Sequence, residues 1–245
     1  MKTILNNLLF LLLLLALLQS CKKGDCLESA GAITIVNRPI SSFNQIDLND
    51  NVNLILTQDT IERIQVEAGQ NLQPNILTTV TNNILTIKNT TSCQWLRNPS
   101  EKINVYISVK KLNTVNYNGS GNVTSTNTIT TDNITFNSNE GAGNVEVTLD
   151  AQQTFAYIYH ENADFIFHGK SNYCASYTNS RGSIDFKDFI VKNMNIEYGS
   201  IRDTHINVTE TLHAIVYFKG SIYYTGSPAK IDTTYYSSGR LIHLP

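Results

Sequence analysis

Gly119-Ser120-Gly121-Asn122-Val123 is a short turn of small and polar residues that delivers a large apolar one, and the second half of the chain keeps restating it. Later copies read Gly141-Ala142-Gly143-Asn144-Val145, Asn162-Ala163-Asp164-Phe165, Arg181-Gly182-Ser183-Ile184, Tyr198-Gly199-Ser200-Ile201, Lys219-Gly220-Ser221-Ile222 and Ser238-Gly239-Arg240-Leu241. From Gly121 to Gly239 the intervals are 22, 20, 19, 17, 21 and 19 residues. A period near 20 marks a solenoid, whose units bury their apolar faces only by stacking on one another.

Aligning the copies on the turn places Val123, Val145, Phe165, Ile184, Ile201, Ile222 and Leu241 in one column. All are apolar, so this column faces inward. Two places further lie Ser125, Val147, Phe167, Phe186, Asp203, Tyr224 and His243, mostly apolar or aromatic, and the mixed position between them points outward. That is the period-2 alternation of a half-buried strand, repeated coil after coil. At the corner, positive φ and tight backbone approach both suit glycine. The chain reads as all-β, a parallel β-helix.

Residues 33–110 keep the rhythm of strand and turn without the Gly-Ser motif, and are expected to form irregular opening coils or a small β-sheet cap; 111–245 form the regular repeats. Asn49-Asp50-Asn51 and Thr81-Asn82-Asn83 read as turns, with Asp47 and Asp50 as turn formers. Residues 89–101 form a long loop whose Trp95 is expected to plug the flank. About one residue in eight is Asn, which suits left-handed turn positions and stacked side-chain ladders.

At the start, Lys2, the apolar run Leu8 to Leu18 and then Gln19-Ser20-Cys21 describe a secretory signal over residues 1–20. Eleven apolar residues are too few for a span, which needs about 20. Leu18-Gln19-Ser20-Cys21 resembles the lipobox of bacterial lipoproteins, making Cys21 the lipidated first residue of the mature chain and 21–32 its tether. The membrane is then a partner through a lipid anchor. Export to an oxidising compartment allows a Cys26–Cys93 disulfide, with two buried thiols as the alternative. Cys174 lies in an alternating stretch and reads as a small core residue. Formal charge is −2, and −3 once Lys2 is removed, so no basic face for nucleic acid is expected.

No catalytic, cofactor or metal site emerges. Asp185 and Arg202 share the outward column and are expected to form a solvated cross-strand pair. The histidines lie in different columns. Tyr157, Tyr159, Tyr177, Tyr198, Tyr217, Tyr235 and Tyr236 recur just before the turns. They read first as coil packing; Tyr157, Tyr177 and Tyr217 could instead form an exposed strip for carbohydrate or protein.

Arg38-Pro39-Ile40 to Phe43-Asn44-Gln45-Ile46, Val52 to Gln58, Ile76 to Ile87, the Gly-Ser turns and Ile222 to Pro228 together resemble the putative auto-transporter adhesin head GIN domain, a domain of unknown function. The match spans about residues 35–243. It implies a right-handed, pectate-lyase-like β-helix without established catalytic residues, from Bacteroidetes-type bacteria. It points to a non-catalytic, lipid-anchored protein of the Gram-negative cell envelope, on the outer membrane. Its expected use is adhesion or interaction with an unknown glycan or protein; the alternative is a carbohydrate-binding or lyase-like β-helix.

Overall fold

The computed structural model describes residues 29–92, 94, 102–160 and 162–245. Cys21, Cys26, Cys93 and Trp95, and with them the lipid anchor, disulfide and plug expected above, lie outside the described residues. Among the described residues seventeen strands form one continuous hydrogen-bonded sheet coiled into a β-solenoid of about six turns.

In chain order the strands are β1 (Ile33–Arg38), β2 (Gln45–Asp50), β3 (Asn53–Gln58), β4 (Arg63–Gly69), β5 (Ile76–Thr81), β6 (Ile84–Asn89), β7 (Asn104–Val109), β8 (Thr114–Gly119) and β9 (Val123–Ser125). They continue with β10 (Ile129–Ser138), β11 (Asn144–Ile158), β12 (Asp164–Thr178), β13 (Ser183–Tyr198), β14 (Thr204–Val216), β15 (Ile222–Thr225), β16 (Lys230–Tyr235) and β17 (Leu241–His243). Two stacks run the length of the molecule. One is β1-β4-β7-β3-β9 followed by the first halves of β11 to β14, then β15 and β17. The other is β5-β6-β2-β8-β10 followed by the second halves of β11 to β14, then β16.

The inward column exists and reaches further than the repeat. Val66, Val105 and Leu54 continue it beyond Val123, Val145, Phe165 and Ile184. One member is corrected. His205 pairs with Asp185, so Thr204, not Ile201, lies beside Ile184, and it pairs onward with Ile222 and Leu241. Ile201 is 58% exposed at the corner. By the same shift Ile206 replaces Asp203 in the second column. The cause is the place of the glycine: Gly199 opens its corner, level with Asn179 and Tyr217, whereas Gly182 and Gly220 sit three residues later, level with Arg202. Tyr198 is fully buried and its hydroxyl donates to the Arg202 carbonyl at 2.8 Å, which holds residues 199–202 in a loop before β14 begins. Tyr117 does the same for the Gly121 carbonyl at 2.6 Å.

Corner glycines answer to crowding rather than to left-handed φ. A methyl added at Gly182 would land on the Ala163 carbonyl oxygen of the previous coil. Gly169, inside β12, does adopt a positive φ of 93°. The asparagines after the corners form the expected ladder. Asn104 Nδ2 donates to Glu67 at 2.8 Å, Asn53 Nδ2 to Asn104 at 2.9 Å, and the Asn122 amide N–H to Asn53 Oδ1 at 2.9 Å. Each coil thereby ties the next through a polar group that would otherwise lack a partner.

The opening part is a cap of mixed direction. β1 and β4 pair antiparallel, as do β4 and β7 and the β5–β6 hairpin, while β2 and β3 join the parallel stacks. The hairpin turns through Asn82 and Asn83 at φ 51° and 62°, the left-handed pair a two-residue loop requires. Gln73 Nε2 ties β1 to β4 by donating to the carbonyls of Thr34 at 2.9 Å and Val66 at 3.0 Å. Asp50 is a turn residue as expected, at φ 62°. Asp47 is not: it lies within β2 with its side chain outward. No helix of the described residues is long and apolar enough to cross a membrane.

Candidate functional site

The second stack carries the most distinctive outward surface. Its inward positions, Ile46, Leu48, Val115, Tyr117, Phe136, Ala156 and Ile158, are buried, so the residues between them point to solvent. In register across the coils these are Asp47, Asn116, Asn137, Tyr157, Tyr177, Glu197 and Ile215. Two residues further along each strand lie Asn49, Asn118, Asn139 and Tyr159, and later Tyr217 and Tyr236. The face is amide-rich over the early coils and aromatic over the later ones.

The amide half is a trough of about 460 Å³ lined by Asp47, Asn49, Thr86, Lys88, Asn116, Asn118, Asn137, Asn139 and Tyr159. Asp47 Oδ1 accepts from Asn116 Nδ2 at 2.7 Å and from Gln45 Nε2 at 3.1 Å. Asn137 Nδ2 donates to Asn116 Oδ1 at 2.9 Å, and the Asn139 N–H to Asn118 Oδ1 at 3.4 Å. These bonds fix the side chains while leaving valence unused. Among the described residues nothing occupies Asn137 Oδ1, Asn118 Nδ2, the Asn139 side-chain amide or Lys88 Nζ. The trough holds one carboxylate and one ammonium. A glycosidase-type centre needs two carboxyl groups about 5–9.5 Å apart, and the trough lining contains no second one.

The aromatic half is a shelf of rings in mutual contact. Centroids lie 6.3 Å apart for Phe155 and Tyr157, 6.2 Å for Phe155 and Tyr173, 6.1 Å for Tyr157 and Tyr159, and 5.6 Å for Tyr159 and Tyr177. Further along, Tyr217 stacks on Tyr236 at 5.3 Å and 13°, and donates its hydroxyl to Glu197 at 2.9 Å. Burial pushes the Tyr157 phenol up, with Tyr159 and Tyr173 adding to it; the bond to Glu197 pushes Tyr217 up. Both shifts favour the neutral phenol, and the Tyr217 proton is committed to Glu197.

Tyr157 and Tyr177 are direct neighbours on adjacent coils, and Tyr217 stands two coils on in the adjoining column. Tyr159, 38% exposed, joins them to the trough. Tyr198 is interior packing, while Tyr235 is 41% exposed on the last coil, its ring 5.2 Å from the Arg240 guanidinium. The trough was not expected from sequence. The available signal was Asn-X-Asn at 116–118 and again at 137–139, 21 residues apart.

Other charged groups stay dispersed. Arg202 does not meet Asp185, which pairs with His205; it lies in the corner before Thr204 and reaches Asp164, two coils back, at 2.6 Å. Asp185 faces Lys187 at 3.8 Å instead. His168 Nε2 meets Glu146 at 3.2 Å and Nδ1 meets Asp188 at 3.8 Å, from opposite edges of the ring, so the carboxylates do not converge. Among the described residues no three His, Cys, Asp or Glu side chains gather to hold a metal ion. Cys174 is fully buried and free, and its thiol is pushed well up by burial.

Fold and face together define a β-solenoid with one long amide-rich and aromatic face. The chain belongs to the family described as "Putative auto-transporter adhesin, head GIN domain", whose profile matches residues 42–228. No curated protein matches it. Among solved structures it is similar to one described as a putative adhesin from Bacteroides fragilis NCTC 9343, at 23% identity and TM-score 0.76, covering 87% of this chain and 97% of that one. A second, a putative adhesin from Parabacteroides distasonis ATCC 8503, gives 19% and 0.67 over 87% and 98%. A third, from the same organism and described as a putative lipid binding protein, gives 16% and 0.66 over 88% and 98%. At these identities the likeness concerns the fold.

Proposed function

We propose that this protein is a non-catalytic display module of the cell envelope, held to the outer membrane by lipid on Cys21, and that the trough and shelf form its adhesive contact surface. The observation that carries the reading is the continuity of that face. Amides with open valence run into a shelf of hydroxylated rings, all positioned by one register. Rings supply contact area at low entropic cost, and amides supply direction.

The family's adhesin description and the secretory start of the chain support an envelope address. Each buried lipid CH₂ contributes about 0.8 kcal/mol, so several acyl chains would hold the protein durably. β1 is the edge strand of the first stack. The shelf lies on the later coils, away from β1. Eleven strands in that stack make ten steps, a height of about 48 Å at the usual strand spacing of ~4.8 Å. A carbohydrate-active reading gains nothing from the trough, where Asp47 is held by two amide donors.

Cell fractionation and adhesion assays test this. Cys21→Ala should move the protein from the membrane to the soluble fraction. Tyr157→Ala with Tyr177→Ala should abolish adhesion while leaving the anchor intact. Membrane retention by the first variant defeats the lipid anchor, and undiminished adhesion by the second defeats the contact face.

A further inference from the structure

We propose that the occupant of this face is a neutral glycan chain lying along the solenoid axis, its ring faces on Tyr157 and Tyr177 and its hydroxyls in the trough. The inference rests on the face being the contact surface and specifies what it contacts. The first argument is valence. Asn118 Nδ2 and Asn137 Oδ1 offer a donor and an acceptor on adjacent coils, and the Asn139 amide offers both. A sugar hydroxyl donates and accepts at once, so it satisfies such a pair where a carboxylate or an ammonium satisfies only one side.

The second is charge. Asp47 and Lys88 are opposite and equal in number, and the Asp47 carboxylate already accepts two hydrogen bonds. Within the trough no net charge selects an anionic or cationic ligand. A single-stranded nucleic acid would need a positive groove along its backbone, and Lys88 alone does not make one.

The third is shape. Tyr159 both lines the trough and touches Tyr157 and Tyr177, so the two halves are one path and not two sites. That path repeats at the strand spacing of about 4.8 Å, and a pyranose ring advances its chain by a similar step. Successive sugars then meet equivalent partners on successive coils. A protein ligand would be expected to seat an aromatic or Arg anchor in a desolvated pocket, and the trough is lined by amides and hydroxyls with one aromatic edge.

The test uses the mature lipidated chain in detergent, run by affinity electrophoresis through gels containing dextran, mannan, xylan or galactan, with polygalacturonate and heparin as acidic counterparts. At least one neutral polysaccharide should retard the protein, and the retardation should persist at ~1 M salt, where the Debye length is about 3 Å. Tyr157→Ala with Tyr177→Ala should weaken binding about tenfold or more, and Asn118→Asp with Asn139→Asp should weaken it as well. All four positions face solvent, so an unchanged thermal midpoint confirms that the variants are folded. Retardation by acidic polymers alone, with loss in salt, overturns the inference, as does equal binding by the tyrosine variant. If no polysaccharide binds while that variant still loses cell adhesion, the glycan assignment falls and the contact face survives. If neither readout changes, both fall.

Discussion

Removing the Phe167 ring should lower stability more than removing any exposed apolar side chain. Phe167 is fully buried in the second inward column, 4.8 Å from Phe186, 5.0 Å from Phe136, and 5.8 Å from both Phe165 and Phe189 by ring centroids. Its coil is pinned on both sides, Val147 pairing with Phe167 itself and Ile184 with Phe165, so the cavity left by Phe167→Ala has little freedom to collapse. Such a truncation costs about 3–5 kcal/mol, and lost aromatic pairs at ~0.5–1.5 kcal/mol each put it at the upper end. With a urea m-value of about 3 kcal/mol/M, the midpoint should fall by roughly 1–1.7 M. Ile201→Ala is the control. Sequence alignment puts that residue in the spine, the structure leaves it 58% exposed, and its substitution should stay within about 0.5 kcal/mol. Midpoints that shift equally for the two variants, or a Phe167→Ala shift under about 0.3 M, would mean that the stacked core is wrong at this coil.

Gly182→Ala must push the Ala163 carbonyl aside, so a loss of about 1–3 kcal/mol is expected in the same urea assay, and an unchanged midpoint would deny the close approach. Burial pushes the Tyr117 and Tyr198 phenols to about 12 against an ordinary value near 10. Because the folded state favours the neutral form, the stability they contribute is complete below pH ~10 and is lost as pH rises from ~10 to ~12. Thermal midpoints across that window should fall in the parent and fall less in Tyr117→Phe, whose own cost at neutral pH is about 1–3 kcal/mol for the orphaned Gly121 carbonyl. Non-reducing peptide mapping should recover Cys26 linked to Cys93; free thiols at both would end the disulfide proposal, while Cys174 should resist thiol reagents until the protein unfolds.

The solenoid was legible because its two signals reinforce each other. Small corner residues recur near every twentieth position, and between them the strands alternate apolar with polar. Register failed at one corner for a definite reason. Ile201 follows its glycine at the usual distance and is apolar, so nothing local separates it from Thr204. Only strand pairing shows that Gly199 opens its corner three residues earlier than Gly182 and Gly220 stand in theirs. The antiparallel strands β1, β4 and β5 were equally opaque, since strand direction depends on partners distant in sequence. The trough stayed hidden because Asn is read locally as a turn former. Asn116 and Asn137 lie inside strands, and they become neighbours only once β8 and β10 pair. The tyrosines were visible as a recurrence, but telling Tyr157 and Tyr177 from the buried Tyr198 required knowing which side of each strand faces out.

A crystal structure of the protein with a bound neutral oligosaccharide decides whether this face does the work assigned to it. Sugar rings should lie against Tyr157 and Tyr177, with hydroxyls paired to Asn118 and Asn139 and the chain running from coil to coil. A sugar seated on the corner ladder of Asn53 and Asn104, or one crossing the strands without touching the tyrosines, would contradict it.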